Sequence, residues 1–201
     1  HLDANESPWM SPPSDGSVKD YNRYPEQQPA ALLSRLAALY GVETTDIMMG
    51  RGADESIEVL LRTFCESGED SILICPPTFG YFSTAAKIQG AKILEAPLNA
   101  DFTWDEDAIR SQIDAGSPKI VFLCSPNNPT GNSLSQALVE GLCADYPETL
   151  IVVDEAYIEF SAHDSVLGLR ASYRNLVITR TLSKVYGLAG VRMGVCIADP
   201  E

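Results

Sequence analysis

The chain has 201 residues, 45% of them hydrophobic, and a formal net charge of −14. That length suits one large domain with a sizeable core, and the acidic balance argues against nucleic acid or an anionic membrane surface as partner, since both need a basic footprint. No apolar stretch reaches the roughly 18 residues of a membrane span, and the opening HLDANESPWM lacks the basic-then-apolar order of a secretory leader, so neither a span nor a leader is expected.

Residues 1–28 are rich in Pro, Ser, Asn and Asp without helical period, and read as an extended arm. Residues 29–201 read as one large domain. PAALLSRLAALYG is an amphipathic helix begun by Pro29 and stopped by Gly41. DIMMG is a short strand. ADESIEVLLRTFCESG places Ile57, Leu60, Leu61 and Phe64 on one helical face. SILIC then predicts a strand, GYFSTAAKIQG a helix and AKILEAPL a strand. DEDAIRSQIDAG predicts a helix, KIVFLC a strand and SQALVEGLCADY a helix. TLIVVDEAY, NLVITRT and GVCIAD are further strands. Strands apolar throughout and alternating with helices point to an α/β fold, with parallel strands buried on both faces and helices as crossovers.

The five cysteines form no C-x-x-C pair and have apolar neighbours, so buried free thiols in a reducing, cytoplasmic compartment are expected. The histidines, His1 and His163, have no ligand cluster nearby, so no metal site is expected.

In a sheet of this kind ligands bind at the carboxyl ends of strands. After DIMMG comes RGADES, whose glycine allows a tight turn into a helix beginning near Ala53 and Asp54. Free N–H groups there suit a phosphate, although a plain strand–turn–helix reads equally from this stretch alone. After SILIC comes PPTFGYF, where Phe79 is either a core residue or a plate for a planar ring. After KIVFLC, the SPNNPTG loop has two X–Pro bonds that suit the cis form and would hold Asn128 rigidly as an amide donor. After TLIVV comes DEAY. Asp154 there is either a helix cap or a buried carboxylate in need of a cationic partner, with Tyr157 three residues on. After NLVIT comes RTLSKVYGLAGVRMG. Lys184 beside a buried strand end loses solvation, which favours the nucleophilic amine. Thr181, Ser183 and Arg192 supply phosphate donors. A surface lysine is the alternative.

These strand ends offer a phosphate cradle, an aromatic plate, an amide, a carboxylate with a phenol, and an amine. Pyridoxal phosphate uses all of them. A nicotinamide dinucleotide fits less well, for no G-x-G-x-x-G follows an early strand and no Walker lysine is present.

SPNNPTG, DEAYIEF and RTLSKVYGLAGVRMG, in that order and spacing, resemble the class I and II aminotransferases of PLP fold type I. LDANESP, NRYPE and RGADESIEVLLRTFCE bring the resemblance nearest to the histidinol-phosphate aminotransferases within them. The resemblance implies a largely parallel sheet sandwiched by helices. It implies Lys184 as the covalent attachment point and proton shuttle, Asp154 as partner of the pyridine nitrogen, and Asn128 and Tyr157 as partners of the ring oxygen. Phe79 would stack on the ring, where many relatives carry Tyr. The Ala53–Asp54 backbone, Thr181, Ser183 and Arg192 would hold the phosphate. Tyr24 would reach the cofactor of the neighbouring subunit, which implies a homodimer. Asn5 and Glu6 would lie in the arm on the substrate side.

The implied activity is amino transfer between L-histidinol phosphate and 2-oxoglutarate in histidine biosynthesis. The alternatives are an aromatic amino acid aminotransferase, a lyase like threonine-phosphate decarboxylase, or a non-catalytic remnant. The family's chains are longer, so a further C-terminal part, completing a small domain and carrying an arginine for the substrate carboxylate, is expected to be absent from this sequence.

Overall fold

The computed structural model describes residues 26–163 and 165–200. Among these residues, seven strands form one sheet: β1 (Ile47–Gly50), β2 (Ser71–Ile74), β3 (Lys92–Glu95), β4 (Ile120–Cys124), β5 (Leu150–Asp154), β6 (Leu176–Thr181) and β7 (Gly194–Ile197). Their spatial order is β1-β7-β6-β5-β4-β2-β3. The run from β3 to β6 is parallel throughout. Five helices intervene among the described residues: α1 (Ala30–Tyr40), α2 (Ala53–Phe64), α3 (Tyr81–Gln89), α4 (Glu106–Gly116) and α5 (Gln136–Asp145).

The sheet is largely parallel, as expected, and departs from that only at β7, which pairs antiparallel with both β6 and β1 among the described residues. The cause is the connection. Parallel neighbours need a crossover, usually a helix packed on the sheet. Segment 182–193 contains only a short 3₁₀ turn at Ala189–Val191 and stays at the strand ends, so the chain re-enters the sheet from the end it has just left. Leu182 N donates to Met193 O at 3.0 Å and pins the base of this loop.

Side chains alternate across each strand, and the alternation divides the core in two. Leu73, Val121, Leu123, Ile151, Val153 and Ile178 face α1, α4 and α5. Ile72, Ile74, Ile120, Phe122, Val152 and Val177 face α2 and α3. The central strands β2, β4, β5 and β6 are buried at nearly every position, as two covered faces require. The edge strand β3 exposes Lys92 and Glu95 instead, charges that discourage further pairing. Gly41 ends α1 in the left-handed region at φ 69°, and Asp105 and Ser135 cap α4 and α5 by accepting from Ala108 N and Leu138 N. All five cysteines are buried free thiols.

Candidate active site

The same alternation aims the site. Continuing the α2/α3 row past the apolar core brings Cys124, Asp154, Thr179 and Thr181 to one face at the carboxyl end of the sheet. The next residues along, Glu155 and Arg180, point to the opposite face. A cavity of about 370 Å³ opens at these strand ends. Nine expected site residues line it: Ala53, Asp54, Phe79, Asp154, Tyr157, Thr181, Ser183, Lys184 and Arg192. Asn128 lies on an adjoining cavity of about 630 Å³, which shares Tyr157 as its wall. Tyr24, Asn5 and Glu6 fall outside the described residues.

Lys184 leads the loop between β6 and β7, and its Nζ lies 5.4 Å from the centre of the Tyr157 ring. That distance suits a cation over an aromatic face. Phe79 also lines the cavity, half-buried and set by an edge-on contact with Phe82 at 5.5 Å between ring centres. Phe82 in turn stacks on Phe122 at 4.8 Å, so the plate rests on the core.

Asp154 is the last residue of β5 and is buried. Among the described residues its hydrogen bonds come from neutral donors. Thr179 Oγ1 donates to Asp154 Oδ1 at 3.0 Å, and Ala156 N to the same oxygen at 3.1 Å. Burial pushes the carboxyl up to about 6, against the lowering effect of those two bonds, and the charges of Asp54 and Glu155 push the same way as burial. A carboxylate held this way favours a cationic group placed against it.

The anion cradle is built from backbone. Gly52, at φ 86°, turns the chain from β1 into α2 and leaves the first N–H groups of the helix without intrahelical partners. A Cβ on Gly52 would sit 2.9 Å from Arg192 Nη2, and one on Gly194 would sit 2.3 Å from Gly52 C and 2.5 Å from Ala53 N. Two glycines therefore let helix, strand and guanidinium converge. Arg192, itself at φ 56°, donates from Nη2 to Asp54 Oδ2 at 3.2 Å and to Arg51 O at 3.4 Å. Thr181 Oγ1 and Ser183 Oγ are 2.9 Å apart, and Ser183 N donates back to Thr181 Oγ1 at 3.1 Å. The three peptide bonds Pro76–Pro77, Ser125–Pro126 and Asn128–Pro129 are cis, two of them in the SPNNPTG loop where that isomer is expected. Asn127 ties this loop to the β2 end by donating to Pro77 O at 2.9 Å.

Three features carry roles that the sequence motifs do not reveal. Thr179 follows from strand register, since a parallel β5–β6 pair sets it opposite Asp154. Gly194 ends the RTLSKVYGLAGVRMG motif, but its need for zero side chain emerges only from the helix it meets. The third is a buried ion pair behind the site: Arg180 donates from Nε and Nη2 to Glu155 Oε2 at 3.0 and 2.7 Å. Ser165 Oγ and Val166 N also donate to Glu155, and the Arg180 guanidinium lies 5.1 Å from the Tyr40 ring centre.

Comparison with known proteins agrees with this geometry. The family described as aminotransferase class I and II matches residues 5–201. A histidinol-phosphate aminotransferase of Aeromonas hydrophila subsp. hydrophila is 47% identical over 201 residues, covering 100% of this chain and 56% of that protein. One from Aeromonas salmonicida is 48% identical over the same span, again 56% of its length. Among solved structures, the histidinol-phosphate aminotransferase of Sinorhizobium meliloti in complex with pyridoxal-5'-phosphate superposes with a TM-score of 0.88 at 26% identity, over 98% of this chain and 55% of that one. The chain thus spans a little over half the length of these relatives.

Proposed function

The chain belongs to the class I and II aminotransferases, and on that premise we propose that it carries the cofactor half of a pyridoxal phosphate-dependent transaminase acting on L-histidinol phosphate and 2-oxoglutarate. The products are imidazole acetol phosphate and glutamate, in histidine biosynthesis. Identities above 40% to histidinol-phosphate aminotransferases over the whole chain support this substrate pair.

The observation that carries the proposal is the one cavity joining Lys184, Asp154 and the Gly52–Arg192 cradle. The donor set fits the cofactor. A buried carboxylate whose hydrogen bonds among the described residues come from neutral donors suits a cationic nitrogen, and a backbone cradle too tight for a β-carbon suits a phosphate. Pyridoxal phosphate supplies an aldehyde that captures amines and a ring that accepts electrons from the substrate Cα.

The residues of the chain do the rest. Asp154 would pair with the ring nitrogen and keep it protonated. Lys184 Nζ would hold the cofactor and, once the incoming substrate amine had displaced it, would be the free amine placed to move the proton from the substrate Cα. Tyr157 and Asn128, from the walls of the two adjoining cavities, would be the partners of the ring oxygen. Phe79 would cover one ring face and exclude water from it. The α2 N–H groups, Thr181, Ser183 and Arg192 bind the phosphate. We further propose a homodimer in which Tyr24 of a second copy approaches this phosphate, and an organisation of residues 1–28 as an arm before a large domain. The buried thiols fit a reducing, cytoplasmic setting, and among the described residues no helix is long and apolar enough to cross a membrane.

The test is an absorbance titration of the purified chain with pyridoxal phosphate, followed by histidinol phosphate. A visible band that forms and then bleaches on adding the amine supports the proposal. No band in a folded chain refutes the cofactor assignment, and a band indifferent to histidinol phosphate refutes the substrate.

A further inference from the structure

Thr179 belongs to no recognisable sequence motif, yet it touches the most unusual group in the cavity. It is wholly buried and sits at the register position opposite Asp154. Among the described residues it gives that carboxylate its one side-chain hydrogen bond, at 3.0 Å to Oδ1. The other donor, Ala156 N, belongs to the main chain and follows from the turn after β5. Thr179 O also accepts from Glu155 N at 2.9 Å, so the residue is fixed by the sheet and its hydroxyl cannot drift from the carboxylate.

We propose that Thr179 is a positioning residue that holds the Asp154 carboxylate in one orientation and in its ionised form. This rests on the assignment of Asp154 as partner of the cofactor's ring nitrogen.

The surroundings of Asp154 make the hydroxyl matter. Asp54 on α2 and Glu155 immediately after β5 both disfavour its charge. Lys184 and Arg192 from the β6–β7 loop, Cys124 at the end of β4 and Tyr157 after β5 line the same cavity, and Asp154's hydrogen bonds come from neutral groups. A hydrogen bond to the ionised form lowers the pH at which a carboxyl gives up its proton. Burial already holds the Asp154 carboxyl at about 6. Loss of one donor raises that further and cuts the ionised fraction at neutral pH, where a one-unit rise takes it from about nine-tenths to about half.

The test uses the full chain with Thr179→Val, which keeps the shape and loses the hydroxyl, and Thr179→Ser, which keeps the hydroxyl. In cofactor-free protein labelled with ¹³C at aspartate side chains, the Asp154 carboxyl should titrate about one pH unit higher in Thr179→Val and as wild type in Thr179→Ser. In the loaded protein the acid limb of the kcat profile should move the same way, with KM unchanged. Wild-type titration in folded Thr179→Val overturns the proposal, as does a Ser variant that behaves like Val. If the titration shifts as expected while wild type takes up no pyridoxal phosphate, the Thr179–Asp154 pairing stands and the proposed function fails. Normal cofactor uptake with no shift overturns the pairing and leaves the proposed function intact.

Discussion

Gly194 and Gly52 meet so closely that a β-carbon built on Gly194 would lie 2.3 Å from the Gly52 carbonyl carbon. The obstacle is backbone on both sides, so neither partner can step aside without moving the start of α2. The anion cradle and the β6–β7 return are therefore one unit, and its spacing is set by the absence of a side chain.

Gly194→Ala should push the α2 N-terminus away from Arg192. We expect binding of pyridoxal phosphate to weaken at least about tenfold, while binding of unphosphorylated pyridoxal barely changes. The stability cost should be about 1–3 kcal/mol, as for other overpacked sites. Paired equilibrium titrations with the two aldehydes measure the first effect, and an unchanged preference for the phosphorylated form would show that the cradle does not bind phosphate.

Lys184→Ala should abolish covalent attachment of pyridoxal phosphate. Borohydride reduction followed by peptide mass analysis should label Lys184 in wild type and no peptide in the variant. Labelling of another lysine at wild-type yield would remove Lys184 from its role.

Asp154→Asn should still take up cofactor but lose about a hundredfold or more in turnover, the scale of losing one aimed electrostatic partner. Its effect on stability has the opposite sign. The folded carboxyl titrates near 6, against about 3.9 in an unfolded chain, so the folded state binds the extra proton between those values. Stability is full below about pH 4 and falls as pH rises through 6, by about 3 kcal/mol in all. Cofactor-free Asp154→Asn escapes that loss. Urea unfolding should find it more stable than wild type at pH 8 and equal to it near pH 3.5.

Arg180→Met should destabilise the fold by about 3–5 kcal/mol, because it strands the buried Glu155 carboxylate without its charge partner. Denaturant unfolding at neutral pH measures it. A loss below about 1 kcal/mol would mean that Ser165 and Val166 suffice to hold Glu155.

Much of this architecture is legible in the sequence because it depends on local pattern. Apolar runs such as IVFLC and LIVVD mark strands covered on both faces, and the residues that follow them fall at one end of the sheet. That is why Phe79, Asp154, Tyr157, Lys184 and Arg192 share a cavity. What the sequence hides is contact between distant segments. The direction of β7 depends on the path of its connection. The partner of Asp154 depends on which strand lies beside β5, and the demand for glycine at 194 depends on a helix more than a hundred residues earlier. Asn128 is the instructive middle case: the constraint on its loop is plain from SPNNPTG, but the wall it occupies belongs to the neighbouring cavity.

The Leu182–Met193 bond at the base of the β6–β7 loop has a mechanical consequence. A loop tied at both ends to adjacent strands cannot swing as a hinged flap; it translates and rotates with the sheet. Lys184, two residues past that tie, and Arg192, one residue before it, are thereby held close to the sheet. The backbone amides at the foot of this loop should be among the slowest in the protein to exchange with solvent.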